Sequence, residues 1–217
     1  MTLKLVIADK NYSSWSMRPW IAMTTAGIEF EEIFFNFNMP GWKAAIREYS
    51  PAAKVPILID GKVTVWESLA ILDYLHERFP ETGIWPDDWA ARAHARSISS
   101  EMATGFTGLR GHYPMNMRRS VPDRTPSEEA AADIERVTAI WRHARETYGG
   151  GGDFLFGTKF TGADAMYAPV VSRFTSYAIE VGEVEQAYMT AVQETPAFKA
   201  WQAEALKEPW IVDEDEV

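Results

Sequence analysis

The sequence predicts an α/β domain with a four-stranded mixed sheet, followed by an all-α domain. Segments typical of strands and helices alternate over residues 1–81 in the order β-α-β-α-β-β-α. A hairpin signal, Asp60-Gly61, separates two short β-branched runs in this part. Beyond residue 88 strand signals mostly disappear and long helical patterns take their place. We therefore expect two domains, 1–81 and 89–217, joined by a linker at 82–88.

The opening β-α-β unit consists of two apolar runs with a helical pattern between them. Residues 3–8 and 30–37 are rich in aliphatic, aromatic and β-branched side chains, which is typical of strands. The apolar residues between the two runs recur at helical spacing, and we expect Ser16 to cap this helix and Gly27 to end it. A right-handed crossover of this kind makes the two strands parallel.

The rest of the first domain is predicted to contain a short helix, a hairpin and a second helix. Residues 42–49 form the short helical pattern, which Ser50-Pro51 ends. The runs 57–59 and 63–65 flank Asp60-Gly61 and should therefore pair antiparallel. Residues 67–78 predict the second helix, with its leucines and Ile71 turned inward.

The all-α domain is predicted from four helical patterns, at 89–110, 127–148, the segment after Thr161, and 196–208. Residues 111–126 carry three prolines and are expected to form a loop. Thr161-Gly162-Ala163-Asp164 has the form of a capping box, although Asp replaces the usual Glu or Gln. The helix that follows is apolar on most sides, so we expect it to be the buried centre of this domain, with Asp164 in a structural role.

Composition excludes several classes of protein. The net charge of −10 argues against non-specific binding to nucleic acid. No apolar run approaches the length of a membrane span and no signal-peptide pattern opens the chain, so we expect a cytoplasmic protein without a membrane partner. The absence of cysteine removes disulfides, thiolate metal sites and thiol nucleophiles. We expect no metal site, and any sulfur chemistry must use sulfur from a ligand.

Two short motifs in the first domain suit the binding of a small zwitterionic peptide. Lys54-Val55-Pro56 leads into a short strand, and its proline cannot donate a ladder hydrogen bond. Glu67-Ser68 opens a helix and therefore offers free backbone N–H groups, a hydroxyl and a negative charge. Together the motifs can hold a peptide by its backbone on one side and by its charged end on the other.

The stretch KVPILIDGKVTVWESLAILDYL, with NYSSWSMRPW and TGADAMYAP, resembles the cytosolic glutathione transferase family. The resemblance covers essentially the whole chain, and the SSWS loop looks like the serine-type classes, theta-like and zeta-like. It implies a thioredoxin-like first domain and an all-helical second domain. It also implies glutathione as co-substrate, a small electrophilic second substrate and a homodimer.

The resemblance implies roles for the residues of the two motifs. Val55-Pro56 should be a cis bond that turns the Val55 backbone toward the cysteinyl backbone of glutathione. The Ser68 hydroxyl and the N–H groups at the helix start suit the γ-glutamyl carboxylate, and Glu67 suits the α-ammonium. Lys54 matches a lysine that pairs with the glycyl carboxylate. Further contacts to the glycyl end fall, by resemblance, on Trp42 and Lys43.

The loop serines are the candidate catalytic residues. A hydroxyl that donates to a thiolate beside a helix N-terminus stabilises the charged form and lowers the thiol pKa. By resemblance this role falls to Ser13, with Ser14 as the neighbour that can take it instead. Arg18, in the first turn of the helix, can pair with an acid or add positive potential near the sulfur.

The second-substrate site is expected, again by resemblance, in the segment between the long helices of the second domain. The candidates there are His112, Tyr113, Met115 and Met117, with a positive patch from Arg110, Arg118 and Arg119. Ordinary loop packing is an equal alternative for these residues.

The leading hypothesis is therefore a glutathione transferase, and two alternatives remain. The zeta-like class includes maleylacetoacetate isomerases, but Trp15 stands here where their loop has cysteine. Their substrate-binding arginine corresponds to Ser176, with Arg173 one helical turn away. The other alternative is a non-catalytic glutathione-fold binding protein, which the retained Ser13 and Ser14 disfavour.

Overall fold

The computed structural model describes residues 2–217, and its first part is built on a four-stranded sheet. The strands are β1 (Leu3–Ala8), β2 (Phe30–Phe35), β3 (Ile57–Asp60) and β4 (Val63–Trp66), in the order β2-β1-β3-β4. β1 runs parallel to β2, while β3 is antiparallel to both β1 and β4. The predicted mixed sheet, with its parallel crossover and its hairpin, is confirmed.

Three helices accompany the sheet: α1 (Ser14–Thr25), α2 (Trp42–Arg47) and α3 (Ser68–Arg78). The prediction that Ser16 caps α1 is wrong. The helix begins at Ser14, because the Ser13 side chain accepts the Ser16 backbone N–H at 3.4 Å and so caps it. The Ser16 hydroxyl instead accepts the N–H of Ala8, at the end of β1, at 3.0 Å. This bond joins the end of the central strand to the first turn of α1.

The central strand β1 is buried on both faces because helices cover each side of the sheet. Leu5 and Ile7 pack on one face, in the same core as Ile21 and Leu72 of α1 and α3. Val6 points to the other face and packs with Ile46 of α2. The alternation of side chains along a strand thus places α1 and α3 opposite α2.

The second part of the chain is helical. It contains α4 (Trp89–Thr104), α5 (Thr107–His112), α6 (Glu128–Tyr148), α7 (Gly162–Ser176), α8 (Glu183–Glu194) and α9 (Pro196–Ala205). Short 3-10 helices lie at Pro80–Thr82 and Asp213–Asp215. Within residues 2–217, none of these helices combines the length and the apolar character that crossing a bilayer requires.

Three of the helical predictions need correction. The single helix predicted at 89–110 is broken at Gly105-Phe106, because Phe106 has a left-handed backbone with φ of 56°. The helix after this break, α5, continues to His112 and so enters the segment that was predicted as loop. Between α7 and α9 the chain forms α8, which was not predicted, and α9 ends at Ala205 rather than at residue 208.

The buried helix α7 is the centre of the helical part, as predicted. Its capping box is present: the Asp164 carboxylate accepts the Thr161 N–H at 2.8 Å and also the Leu155 N–H at 3.1 Å. Burial raises the pKa of Asp164 to about 6. Helix α7 packs on α1, and one hydrophobic core runs from the sheet into the helical part. The division into domains at 82–88 stays a proposal.

Candidate active site

The two peptide-binding motifs predicted from the sequence meet at one cavity of about 310 Å³. Five residues of the motifs line it, together with four residues from other elements. The lining residues are Trp15, Lys54, Val55, Pro56, Trp66, Glu67, Ser68, Ala103 and Arg110. The cavity therefore lies between the sheet domain, which supplies the motifs, and helices α4 and α5.

The Val55-Pro56 wall of this cavity has a free backbone. The bond between the two residues is cis, as the resemblance implied. The pairing of β3 with both β1 and β4 begins only at Ile57. Because the ladders leave Val55 outside, its N–H and C=O can pair with an extended peptide in the cavity.

The opposite wall is the N-terminus of α3. Glu67 is the residue before the helix, and its backbone has φ of 67° and ψ of 127°, an unfavourable conformation for a residue with a side chain. Ser68 is the first helical residue and is 2% exposed. The free N–H groups and the positive end of the helix dipole favour an anion beside Ser68. Strained residues cluster at functional sites, and Glu67 lies in the cavity wall.

The two candidate catalytic serines lie next to the cavity but do not line it. Ser13 is 5% exposed, and its hydroxyl forms a 2.8 Å hydrogen bond with the hydroxyl of Ser16. Either hydroxyl can donate in this pair, because a serine both donates and accepts. When Ser16 donates, the Ser13 proton is free to point toward a ligand. Ser14 is also buried, and the next residue, Trp15, reaches the cavity.

Two arginines that have no carboxylate partner among residues 2–217 lie against the Trp15 ring. The guanidinium carbon of Arg18 lies 4.1 Å from the ring centroid, and that of Arg110 lies 4.7 Å from it. Arg18 is fully buried and donates to two backbone oxygens, those of Met166 at 3.1 Å and Ser14 at 3.0 Å. The sequence allowed Arg18 to pair with an acid, but Arg18 forms no ion pair among residues 2–217.

Burial and mutual repulsion both act on these arginines. Burial, together with the nearby charges of Arg173 and Arg110, holds the pKa of Arg18 well below its usual range. Burial also lowers the pKa of Arg110. A negative charge in the cavity would reduce this repulsion, so the site favours an anion such as a thiolate or a carboxylate.

The other predicted ligand contacts are not brought to the cavity. Trp42 and Lys43 lie at the start of α2, where the Lys43 ammonium sits 5.4 Å from the Trp42 ring centroid. In the second-substrate set, the His112 ring contacts the Thr125 carbonyl at 2.8 Å, and the Tyr113 hydroxyl donates to the Arg124 carbonyl at 2.9 Å.

Met115 and Met117 are buried in the core, and Arg118 and Arg119 contact the C-terminal residues. Of the predicted second-substrate residues, Arg110 is the one that lines the cavity. In the sequence, Trp15 stands out only as a departure from the isomerase loop, and neither Trp66 nor Ala103 belongs to one of the two peptide-binding motifs. A large aromatic residue between polar loop serines was the available signal for Trp15.

Two other features of the described residues bear on the site. A larger groove, of about 940 Å³, runs along α8, but none of the predicted site residues lines it. No cluster of three or more acidic or histidine side chains that could hold a metal ion occurs within residues 2–217. The cavity at the two motifs is therefore the candidate site.

Comparison with known families agrees with this fold. Residues 12–78 match the glutathione S-transferase N-terminal domain, and residues 127–203 match the glutathione S-transferase C-terminal domain. The first match contains both motifs, Ser13 and Ser14, and the second contains α7. The chain belongs to the glutathione S-transferase family.

The individual relatives include proteins named as maleylacetoacetate isomerases and as glutathione S-transferases. The chain is 40% identical to a probable maleylacetoacetate isomerase of Caenorhabditis elegans over 98 residues, which is 45% of each chain. It is 27% identical to glutathione S-transferase Z2 of Arabidopsis thaliana over 200 residues, or 88% of each chain. The fold is similar to that of a glutathione transferase homolog from Burkholderia gl BGR1 with bound glutathione, with a TM-score of 0.71 and 19% identity over 94% of this chain and 98% of that one.

Proposed function

We propose that this protein is a glutathione transferase that binds glutathione in the cavity between Val55-Pro56 and Glu67-Ser68. The convergence of these two motifs on one cavity carries the proposal. The free backbone of Val55 suits the cysteinyl residue, and the start of α3 suits the γ-glutamyl carboxylate. Glu67 suits the ligand's ammonium and Lys54 its glycyl carboxylate. This arrangement directs the thiol toward the Ser13–Trp15 turn.

The chemistry requires the glutathione thiol to lose its proton, because the thiolate is the nucleophile. In our proposal Ser13 donates a hydrogen bond to the sulfur, while Ser16 donates to Ser13. The N-terminus of α1 and the guanidinium of Arg110 add positive potential, which favours the thiolate. The thiolate then attacks an electrophilic carbon, the leaving group departs with the bonding electrons, and the thiol proton goes to solvent.

Two assays test this proposal directly. We expect the protein to bind to immobilised glutathione and to conjugate a generic halonitrobenzene substrate at a rate above the uncatalysed reaction. Failure to bind glutathione would contradict the proposal. Binding without turnover of any electrophile in a panel of halides, hydroperoxides and activated alkenes would support the alternative of a non-catalytic glutathione-fold binding protein.

A second candidate function is cis-trans isomerisation of a maleylacetoacetate-type substrate. Its specific support is Arg110, a cation without an acidic partner in the cavity wall, beside the Trp15 ring. Here the thiolate adds to a carbon–carbon double bond, the resulting single bond rotates, and elimination restores the thiolate. Glutathione is regenerated, so the same bound thiolate serves this reaction.

Arg110→Gln is expected to separate charged from neutral second substrates. Loss of the guanidinium should raise KM for maleylacetone about tenfold or more, since a hydrogen bond to a charged group contributes about 1.5–3 kcal/mol. KM for a neutral halonitrobenzene should change by less than about threefold, because no charge pairs with Arg110 there. Arg92→Gln, in the first turn of α4 and outside the cavity, is the matched control. Equal effects on both substrates would remove Arg110 from substrate selection.

A homodimer and cytoplasmic residence complete the proposal. The edge strand β4 carries Val63 and Trp66 with 46% and 41% of their surfaces exposed, and such an edge suits a subunit contact. Sedimentation would contradict the dimer if it gave the mass of one chain.

A further inference from the structure

The last ten residues of the chain, 208–217, lie against the β1–α1 loop that leads into Ser13. We define these residues as the C-terminal segment and residues 9–13 as the serine loop. The two are separated by nearly the whole sequence, yet hydrogen bonds join them at several points. Neither the segment nor the first residues of the loop carries a motif in the sequence.

Glu208 holds the start of the serine loop through its backbone. Its two carboxylate oxygens accept the N–H groups of Lys10 at 2.7 Å and Asn11 at 2.9 Å. The carboxylate is almost completely buried, and burial raises its pKa. The indole of Trp201, in α9, donates to the Lys10 carbonyl at 2.9 Å. The N–H groups of Lys10 and Asn11 and the Lys10 carbonyl are thus satisfied by the C-terminal segment and α9.

Glu216 holds the other end of the loop, at the residue directly before Ser13. The Tyr12 hydroxyl donates to its carboxylate at 2.5 Å, and the Asn116 amide donates to the same oxygen at 2.8 Å. Arg119 pairs with the second oxygen at 3.1 Å. Tyr12 is therefore tied to the segment that follows α5 through a residue at the end of the chain.

Arg118 forms hydrogen bonds both to the C-terminal segment and to the serine loop. Its guanidinium donates to the carbonyls of Glu208 and Trp210, and also to the Tyr12 hydroxyl at 2.6 Å. A separate hydrogen bond, from the Asn38 amide to the Ile211 carbonyl at 2.7 Å, joins the segment to the turn after β2. The segment is consequently bonded to the serine loop, to the helical part and to the sheet domain.

We propose that the C-terminal segment is a strap that positions the serine loop, with Glu208 and Glu216 as positioning residues for Ser13. The inference rests on the proposed function for its effect on catalysis, because it concerns the residue proposed to activate the thiol. None of residues 208–217 lines the cavity at the two motifs, and no described hydrogen bond or ion pair joins them to a residue that does. It should therefore govern thiol activation while leaving the binding of glutathione largely unchanged.

Glu216→Ala in the full chain tests the strap, with Glu214→Ala as the matched control. Glu214 lies in the same segment, is exposed, and forms no described hydrogen bond or ion pair. Amide hydrogen exchange at residues 10–14 should become about tenfold faster or more in Glu216→Ala, because the serine loop loses the hydrogen bond that Tyr12 donates to a charged carboxylate. Exchange at residues 54–60 and the Kd for glutathione should change by less than about twofold. The kcat should fall, and the pKa of the bound thiol in the pH–rate profile should rise.

Tyr12→Phe tests the same hydrogen bond from its donor side. It removes the hydroxyl from the other end of the bond, so its effect should not add to that of Glu216→Ala in the double variant. Unchanged exchange at residues 10–14 in both single variants would overturn the proposal. So would equal effects of Glu214→Ala, or faster exchange with unchanged kcat. If the wild-type protein proved inactive with glutathione, the proposed function would fail, but the exchange comparison would still decide whether the segment holds the loop.

Discussion

Ser13→Ala is expected to lower turnover with glutathione about ten- to a hundredfold near pH 7. One hydrogen bond to a charged group contributes about 1.5–3 kcal/mol, which corresponds to a rise of about 1–2 units in the pKa of the bound thiol. The Kd for glutathione should change little, because the two motifs at Val55-Pro56 and Glu67-Ser68 hold the peptide. Thiolate absorbance against pH, together with kcat and KM, measures these effects.

The loss of the α1 cap must be separated from the loss of the sulfur contact. Ser13 caps α1, so its replacement also costs about 1 kcal/mol of stability. Ser127→Ala is the control, because Ser127 caps α6 by accepting the Ala130 N–H at 3.1 Å and lies outside the cavity. It should lose comparable stability and keep full activity. If the pKa of the bound thiol in Ser13→Ala equals that in the wild-type protein, Ser13 does not activate the thiol. Ser14→Ala, measured in parallel, then tests the neighbouring serine.

Glu67→Gly is expected to weaken glutathione binding about tenfold without destabilising the fold. The lost carboxylate removes the proposed partner of the ligand's ammonium. The glycine also relieves the backbone at φ of 67°, which should leave the free energy of unfolding unchanged or raise it by up to about 1 kcal/mol. Calorimetric titration with glutathione and urea unfolding measure the two quantities.

Two variants separate charge from backbone strain in this experiment. Glu67→Gln keeps the strained backbone and removes only the charge, so it should bind weakly with no gain in stability. Ala178→Gly relieves a similar left-handed residue, with φ of 48°, away from the cavity. It should gain stability and keep wild-type affinity. Wild-type affinity in Glu67→Gly would remove Glu67 from the glutathione site.

Sequence patterns predicted the sheet domain better than the helical part. The strands of the sheet and the hairpin at Asp60-Gly61 follow from short-range signals, namely β-branched runs and a turn dipeptide. The break of the predicted helix 89–110 was missed although Gly105 offered a local signal, because an isolated glycine is tolerated inside a helical pattern. The left-handed backbone of Phe106, which follows this glycine, has no signal of its own in the sequence. The cap of α1 was misplaced by three residues because three nearby serines offered the same chemistry.

The candidate site divides in the same way. The sequence predicted the two cavity motifs because each is contiguous and defines its own backbone geometry. These motifs are Lys54-Val55-Pro56 and Glu67-Ser68. His112, Tyr113 and Met115 were expected near the second substrate, but the structure turns them to the following loop and the core. Their direction depends on how α5 packs on α6, which the local pattern does not contain.

By itself, the sequence determined the order of elements, the two peptide-binding motifs, the capping box at Asp164 and the absence of a protein thiol. The motifs and the capping box depend on residues within a few positions of one another, and at that range backbone geometry and hydrogen-bond spacing determine the local structure. Only the tertiary structure decided that Trp15 meets Arg110, and that Glu216 holds Tyr12 beside Ser13. Such contacts join residues far apart in the chain, and they form only because the packing of one continuous core brings the two parts together.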